Sequence, residues 1–375
     1  MSTRVITVRS SRSAADQADA ARQAAQAVMK GQLVGFATET VYGIAALATD
    51  AEAMRRLRKV KGRPDGPFSL HVADAQDVKR YVQNIPPRAR WLMEKAWPGP
   101  ITLLLETGGK LADAKLRRVK GLYKQMTHDD VLGIRCPNEP VARMMLRGVD
   151  GPVVAPSANP AGAPSPRNAD DVLHSLQGQI DLLIDSGPSR FGKDSSIVRI
   201  GRDGWALVRK GVYDERMLSR FLRKKIGFIC TGNTCRSAMA AGLAKLFLAE
   251  QLGCGVGDLR AEGLEVISAG LFAANGRPAA PEAVQAVRRR GGDISRHKSR
   301  KLTIDLIKSC DLLFCMTASH RDEAKRLAGD ADTKICLLDE AMDISDPIGG
   351  GMDVYEQTAE DLDRAVRERI REYVL

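Results

Sequence analysis

Apolar residues in this chain come in short blocks separated by polar turns, and the blocks change character partway along. From residue 33 the run LVGFA is followed by TETVYG and then IAALA. That pattern predicts a buried strand turning at Gly43. Residues 51–60 fit a helix ending in the cluster Arg55, Arg56, Arg58 and Lys59. WPGPITLLLE joins a Pro/Gly-rich turn to a further strand, and VLGIRCP and PVVAPSANP predict short strands that each run into a polar loop. Strands mixed with helices predict an open α/β domain. Residues 108–130 are basic and weakly patterned, which predicts a mobile loop.

A different grammar begins after residue 223. DERMLSRFLRKK at 214–225 reads as an amphipathic helix leading into a new start. Ile226–Cys230 then predicts a strand, 231–236 a polar loop, and Ser237 onward a helix with Met239, Leu243, Leu246 and Phe247 on one face. The chain closes with a helix whose Leu362, Val366, Ile370 and Val374 recur every fourth residue. Alternating strand, loop and helix predict a doubly wound parallel sheet. A length of 375 residues exceeds what one core usually holds. The expected division is therefore 1–223 and 224–375.

Composition narrows the class. Aromatic residues are only 5%, so the cores should be aliphatic. No apolar run approaches the length of a membrane span, and the first residues lack a secretion signal. Seven cysteines scattered over a long chain do not make a disulfide framework. These readings lead to the expectation of a cytoplasmic protein with reduced thiols and no membrane partner. The net charge of +11 is uneven: residues 1–223 hold 35 Lys+Arg and 23 Asp+Glu, and the remainder 22 and 23. The basic excess lies wholly in the first part, as a solvated face or as a surface for phosphate-bearing partners.

Cys230 and Arg236 enclose five residues in CTGNTCRS. In a chain this rich in arginine the spacing recurs by chance, so its context carries the weight. The loop sits between a strand and a helix start, where unpaired N–H groups and the helix dipole attract an anion. Gly232 lets the backbone curl close around it. A thiol at the mouth of such a ring is a primed nucleophile, and Arg236 can grip two phosphoryl oxygens at once. Asp346, in SDPIGGG, is the candidate proton donor to a leaving group.

CTGNTCRS, SAG at 268–270, DLLFCMT at 311–317 and Asp346-Pro347 together resemble the low-molecular-weight protein tyrosine phosphatase family over residues 224–375. The resemblance implies a phosphocysteine mechanism without metal, acting on phosphorylated proteins. Cys230 attacks phosphorus and Arg236 stabilises the transferring group. Asp346 protonates the leaving group and then activates water. Thr231 and Gly232 line the loop, Asn233 braces it, and Ser237 hydrogen-bonds the thiolate. Thr234, where phosphotyrosine-directed members usually carry an aliphatic residue, and Ile348-Gly349-Gly350 in place of an aromatic pair resemble the protein-arginine phosphatase branch. That favours phosphoarginine over phosphotyrosine. Cys235 is either a small loop residue or a redox partner of Cys230. Cys310 and Cys315 raise arsenate reduction as the alternative, although Cys315 reads better as a buried structural thiol.

In the first part, residues 187–193 read G-x4-G-K, but Asp194 follows where a P-loop needs Ser or Thr. A Walker loop is rejected. A second set of blocks occurs in order: TETVYG, Lys61-Gly62-Arg63-Pro64, WPGPIT, Gly133-Ile134-Arg135, APSAN at 155–159, PSP at 164–166, GKDSSIVR and LVRKG. They resemble the YrdC-like threonylcarbamoyl-AMP synthase family across residues 4–222. The resemblance implies that L-threonine, bicarbonate and ATP, with Mg2+ on its phosphates, give threonylcarbamoyl-AMP and pyrophosphate. The product serves tRNA threonylcarbamoyladenosine modification, so tRNA or the transfer machinery is an expected partner. By position, Thr40, His71, Arg135, Ala155 and Ser195 bind threonine, while Lys61, Arg63, Ser157, Asn159, Ser165 and Arg209 surround ATP. GKDSS shortens the family's usual acidic side chain, and the turn after Arg63 is one residue shorter than common. The competing reading is a double-stranded RNA-binding module without synthase activity.

Overall fold

The structure, a computed structural model, describes residues 2–8, 13–201, 204–329 and 334–375. The chain divides into two compact units, Met1–Phe221 and Leu222–Leu375.

In chain order the first unit runs β1 (Arg4–Thr7), α1 (Ala14–Met29), β2 (Val34–Phe36), β3 (Gly43–Leu47), α2 (Ala51–Lys61) and β4 (Leu70–His71). It continues with α3 (Pro87–Ala96), β5 (Ile101–Glu106), α4 (Ala114–Arg117), α5 (Leu122–Met126), β6 (Thr127–His128) and β7 (Val131–Arg135). It ends with α6 (Pro140–Arg147), β8 (Val153–Val154), α7 (Ala169–Leu176), β9 (Leu182–Asp185), β10 (Ser196–Gly201), β11 (Gly204–Arg209) and α8 (Glu215–Phe221). Among the described residues its strands form one mixed sheet ordered β1-β9-β2-β3-β8-β4-β7-β5-β10-β11, with β6 paired to β7. This is an open α/β sheet, and its core is aliphatic: Ala20, Ala21, Ala24 and Val28 of α1 pack with Met145 and Leu146 of α6.

Two local expectations change. LVGFA and IAALA are not one strand turning at Gly43; they are β2 and β3, paired antiparallel, and the turn occupies residues 37–42. Thr38 holds that turn by accepting from the N–H groups of Thr40 and Val41 and donating to the Val41 carbonyl. Residues 108–130 are not a featureless loop either. They fold as α4, α5 and β6, anchored by buried Leu111, Leu116, Leu122 and Met126.

α2 is terminated in a way that matters for the site. Asp50 caps its start by accepting from Glu52 and Ala53, and Gly62 closes its end with φ 60°. That closure leaves Lys61 in the last turn, buried.

The second unit runs β12 (Lys224–Cys230), α9 (Arg236–Leu252), β13 (Leu264–Gly270), α10 (Pro281–Arg289), α11 (Ile304–Ser309), β14 (Leu312–Cys315), α12 (Ala318–Ala328), β15 (Ile335–Leu337) and α13 (Met352–Tyr373). The two lysines at 224–225, read with the preceding helix, belong to β12; α8 stops at Phe221. The sheet is ordered β13-β12-β14-β15 and every pairing is parallel. The strand order reverses beside β12, the kind of place where open parallel sheets bind ligands at the strands' carboxyl ends. Cys230 is the last residue of that strand. α9 buries more than the single face expected. Ala238, Ala240, Ala241 and Ala244 are covered along with Met239, Leu243 and Phe247, because α10 and α13 both pack on it. Among the described residues no helix is long and apolar enough to cross a membrane.

Two candidate active sites

In the first unit, three short strands deliver a polar row. His71 on β4 and Thr102 on β5 both pair in register with Arg135 on β7. Arg135 is buried, and its Nη2 donates to Glu39 Oε1 at 2.8 Å and to Thr38 Oγ1 at 3.4 Å. Glu39 Oε2 in turn accepts from the Asn138 N–H at 2.9 Å. The Nε of Arg135 is buried with no hydrogen-bond partner among the described residues. An orphan guanidinium donor in a closed site is a costly arrangement that an entering carboxylate would satisfy. Thr40 Oγ1 lies 2.8 Å from Thr38 Oγ1, so Thr40 and Arg135 meet through Thr38. His71 is held neutral: burial and Arg135 push its pKa down to about 3. Ala155 follows β8, and its N–H donates to the Ser69 carbonyl.

Ser195 joins this row to the next group. Its Oγ lies 3.0 Å from Thr102 Oγ1, and Arg209 Nη2 donates to the Ser195 carbonyl at 2.9 Å and to its hydroxyl at 3.2 Å. Gly211 makes the approach possible, since a Cβ there would lie 2.3 Å from the Ser196 nitrogen and 2.4 Å from the Asp194 carbonyl oxygen. Ser165 donates to Asp194 Oδ1 at 2.9 Å, and Arg209 Nη1 stands 4.0 Å from Asp194 Oδ2. Ser165, Lys193 and Asp194 line an open cleft of about 990 Å³ with Val41 and Arg167.

Lys61 gathers the remaining positions. From the end of α2 its Nζ donates to the Ser157 carbonyl at 2.7 Å, to Asn159 Oδ1 at 3.2 Å and to the Asn159 carbonyl. Burial, with a smaller contribution from Arg63, pulls the Lys61 pKa down to about 8. Arg63 itself is exposed, with its guanidinium 5.7 Å from the Phe68 ring centre. The structure thus brings together Lys61, Ser157 and Asn159, and separately Ser165, Ser195 and Arg209; Arg63 stands at the rim. Glu39, Thr38 and Thr102 were missed. Glu39 lies inside the TETVYG block, but only its contact with Arg135, 96 positions away, reveals what it does.

In the second unit the loop 231–235 turns its carbonyls outward. Those of Cys230, Thr231 and Thr234 accept from the N–H groups of Leu271, Phe272 and Ala280, and that of Asn233 from His297 Nε2 at 2.7 Å. The N–H side of the loop is left to face an anion. Gly270, the last residue of the SAG block, lets β13 touch the loop. A Cβ there would lie 2.5 Å from the Thr231 carbonyl oxygen. The left-handed residue of the loop is Asn233, with φ 57°, and not Gly232, whose added Cβ would meet only Thr234 Oγ1 at 3.7 Å.

Cys230 Sγ lies 2.9 Å from Ser237 Oγ and accepts from the Asn233 N–H at 3.2 Å. Asn233 Nδ2 donates to Ser237 Oγ and to Ser268 Oγ, both at 2.9 Å, and Oδ1 accepts from the Arg300 N–H at 2.9 Å. Because Ser237 Oγ accepts there, its own proton is directed at sulfur. Arg236 is buried, donates to the Ile344 carbonyl at 3.1 Å, and forms an ion pair with the half-exposed Asp346. Thr231 Oγ1 lies 2.8 Å from His320 Nε2, and burial together with Arg236 lowers the His320 pKa to about 4. Thr234 Oγ1 is 3.7 Å from Cys235 Sγ, which lies 3.3 Å from the Tyr355 hydroxyl. All seven cysteines are free. Burial raises Cys310 to about 11 and Cys315 to about 12, which makes both poor redox partners. Ser268 comes from the SAG block, whereas His297, His320 and Tyr355 join the loop without any signal in the sequence that assigns them.

A strand ending in a nucleophile inside an N–H ring, backed by arginine and aspartate, defines the second unit as a cysteine-phosphatase fold. The first is a mixed sheet with a buried Arg–Glu pair and a lysine-centred polar cluster. Family models agree. Residues 26–211 match the Sua5/YciO/YrdC model, described as Telomere recombination, and residues 225–373 match Low molecular weight phosphotyrosine protein phosphatase. The chain belongs to both families, one in each unit. Over 191 residues it is 37% identical to the threonylcarbamoyl-AMP synthase of Bacillus subtilis, covering 50% of this chain and 52% of the relative. The chain thus spans about half the length of that relative. Over 146 residues it is 37% identical to the protein-arginine-phosphatase of Bacillus subtilis, covering 38% of this chain and 91% of the relative. The solved structure of Pyrococcus abyssi Sua5 complexed with L-threonine matches with a TM-score of 0.52 and 21% identity, over 97% of this chain and 98% of that one. At that identity the likeness is one of fold.

Proposed function

We propose that the chain is a bifunctional enzyme whose functional units divide at residues 223 and 224. The first half condenses L-threonine, bicarbonate and ATP to threonylcarbamoyl-AMP and pyrophosphate for tRNA modification. The observation that carries this half is the buried Arg135, fixed by Glu39 and left with an unsatisfied Nε, with His71 in register on the next strand and Thr40 and Ser195 linked to it through Thr38 and Thr102. Arg135 takes the threonine carboxylate, and neutral His71 and the threonine and serine hydroxyls position the amine and side chain. Threonine's amine attacks the bicarbonate carbon, and the C–O bond breaks to release water and leave a carbamate. A carbamate oxygen then attacks the α-phosphorus and pyrophosphate leaves. Lys61, Arg63 and Arg209 offset the anionic charge as the reactants approach, while Ser157, Asn159 and Ser165 orient the nucleotide. ATP would enter with Mg2+ on its phosphates as part of the substrate; Asp194, whose Oδ1 accepts from Ser165, would offer that ion an oxygen donor at the cleft. Catalysis rests on positioning and electrostatics. tRNA or its threonylcarbamoyl-transfer machinery is the downstream partner, and the basic excess of this half suits it.

The second half hydrolyses phosphoarginine on proteins in preference to phosphotyrosine. What carries it is the Cys230 sulfur, facing two hydrogen-bond donors inside the anion-binding loop. The thiolate attacks phosphorus as the bond to the leaving guanidino nitrogen breaks, and Asp346 supplies the proton. The phosphoryl group replaces Asp346 as the partner of Arg236. Water, held by Thr234 and deprotonated by Asp346, then frees phosphate and restores the thiolate. Such a thiol needs a reducing compartment, so we place the enzyme in the cytoplasm. Pyrophosphate release that requires threonine and bicarbonate tests the first half, and phosphate release from phosphoarginine and phosphotyrosine peptides tests the second. RNA binding without pyrophosphate release would replace the synthase by an RNA-binding module.

A further inference from the structure

Beside the phosphate loop, on its outer side, α9 and residues 293–300 enclose a second pocket, of about 300 Å³. Its charged lining is one-sided. Lys245, Arg296, Lys298 and Arg300 face it with the single carboxylate Asp293, whose Oδ1 is already occupied by the Ser295 N–H at 2.8 Å. Among the described residues none of the four cations is held in an ion pair. Lys245 is half-buried, and burial and the nearby Arg300 both work against its charge. Arg296, Lys298 and Arg300 are exposed at the rim and Lys245 is half-buried, so with Asp293 alone opposing them the pocket keeps an excess of positive charge that an anion with several charges complements. A single phosphate would leave the cluster cationic, whereas linked phosphates fit both the charge and the volume.

The pocket wall is tied to the nucleophile. His297 Nε2 donates to the Asn233 carbonyl, and the Arg300 N–H donates to Asn233 Oδ1. Asn233 then donates to Cys230 Sγ from its backbone and to Ser237 Oγ from its side chain. Two hydrogen bonds therefore separate the pocket wall from the sulfur. We propose that this pocket binds a small polyphosphate anion, pyrophosphate or the phosphate tail of a nucleotide, and that its occupancy alters turnover at Cys230 through Asn233. Both sources are chemicals that the proposed first half consumes or releases. Binding itself does not depend on either activity.

The test uses the full chain with pyrophosphate and ATP as separate probes. Hydrogen exchange of the segment 293–300 reads binding directly, and p-nitrophenyl phosphate turnover reads the coupling. The expected result is slower exchange at 293–300 with either probe, together with a kcat at saturating substrate changed at least about twofold. Lys245→Met and Lys298→Gln should each abolish both effects while keeping basal turnover; Lys298 is exposed, so its variant folds even if the other does not. Unchanged exchange at 293–300 with both probes overturns the site. Slower exchange with purely competitive inhibition overturns the coupling. Because exchange is read without turnover, failure of the phosphatase reading stays distinguishable from failure of the pocket.

Discussion

Asn233 concentrates the phosphatase account in one side chain, so its replacement gives the sharpest quantitative prediction. Asn233→Ala removes three side-chain hydrogen bonds, two donated to Ser237 and Ser268 and one accepted from Arg300. At about 1 kcal/mol each they contribute roughly 3 kcal/mol. Holding alanine at φ 57° costs about 1–2 kcal/mol more, where asparagine is tolerated. The second unit should therefore lose about 4–5 kcal/mol. Turnover falls as well, because Ser237 loses the donor that directs its proton at sulfur. A hydrogen bond to a charged group contributes roughly 1.5–3 kcal/mol, which corresponds to about a ten- to hundredfold lower kcat. Asn233→Asp separates the two effects. It keeps the backbone conformation and the bond from Arg300 but replaces both donors with an anion beside the thiolate. The aspartate variant should thus be the more stable and the slower of the two. Urea titration of phosphatase activity gives the stability of the second unit. Tryptophan fluorescence serves as the internal control, because Trp91, Trp97 and Trp205 all lie in the first unit. An alanine variant with kcat within twofold of wild type, or an aspartate variant that is less stable than it, would refute the reasoning.

Three further outcomes follow from the same geometry. Thr234→Ile should move preference from phosphoarginine towards phosphotyrosine peptides, and an unchanged ratio of kcat/KM values sinks the specificity argument. Lys61 has its pKa lowered to about 8, so the free enzyme loses that cation as pH rises through this value. The Kd for ATP should climb above pH 8 in wild type and stay flat in Lys61→Met; a flat wild-type profile speaks against Lys61 as a phosphate contact. Gly270→Ala pushes a methyl group against the Thr231 carbonyl and the Asn233 nitrogen, so kcat should fall at least about tenfold while the urea response of the tryptophans stays unchanged.

The sequence discloses both sites through residues that work close to their own loop. Cys230, Asn233, Arg236 and Ser237 fall within eight consecutive positions, and the strand–loop–helix pattern around them shows which way they face. What long-range packing decides is hidden. Glu39 becomes a partner of Arg135 only when β2 and β7 join one sheet, and His297 becomes a brace only when residues 293–300 fold over α9. The fold shows the same divide. The fourfold repeat of Leu362, Val366 and Ile370 reports the helix α13 directly. The segment 108–130 reads as a loop because its anchors, Leu111, Leu116, Leu122 and Met126, are spaced by five, six and four residues, and only the last spacing is helical. TETVYG looked like the continuation of a strand because its turn is held by the Thr38 hydroxyl instead of by proline or glycine.

The central claim is that one chain carries two independent chemistries, and one crossed experiment addresses it. Wild type, Cys230→Ser and Lys61→Met are each assayed for pyrophosphate release with threonine, bicarbonate and ATP, and for phosphate release from a phosphoarginine peptide under reducing conditions. The account predicts that Cys230→Ser loses only phosphate release and that Lys61→Met loses only pyrophosphate release. Loss of both activities in either variant, or the absence of one of them from the wild type, would contradict it.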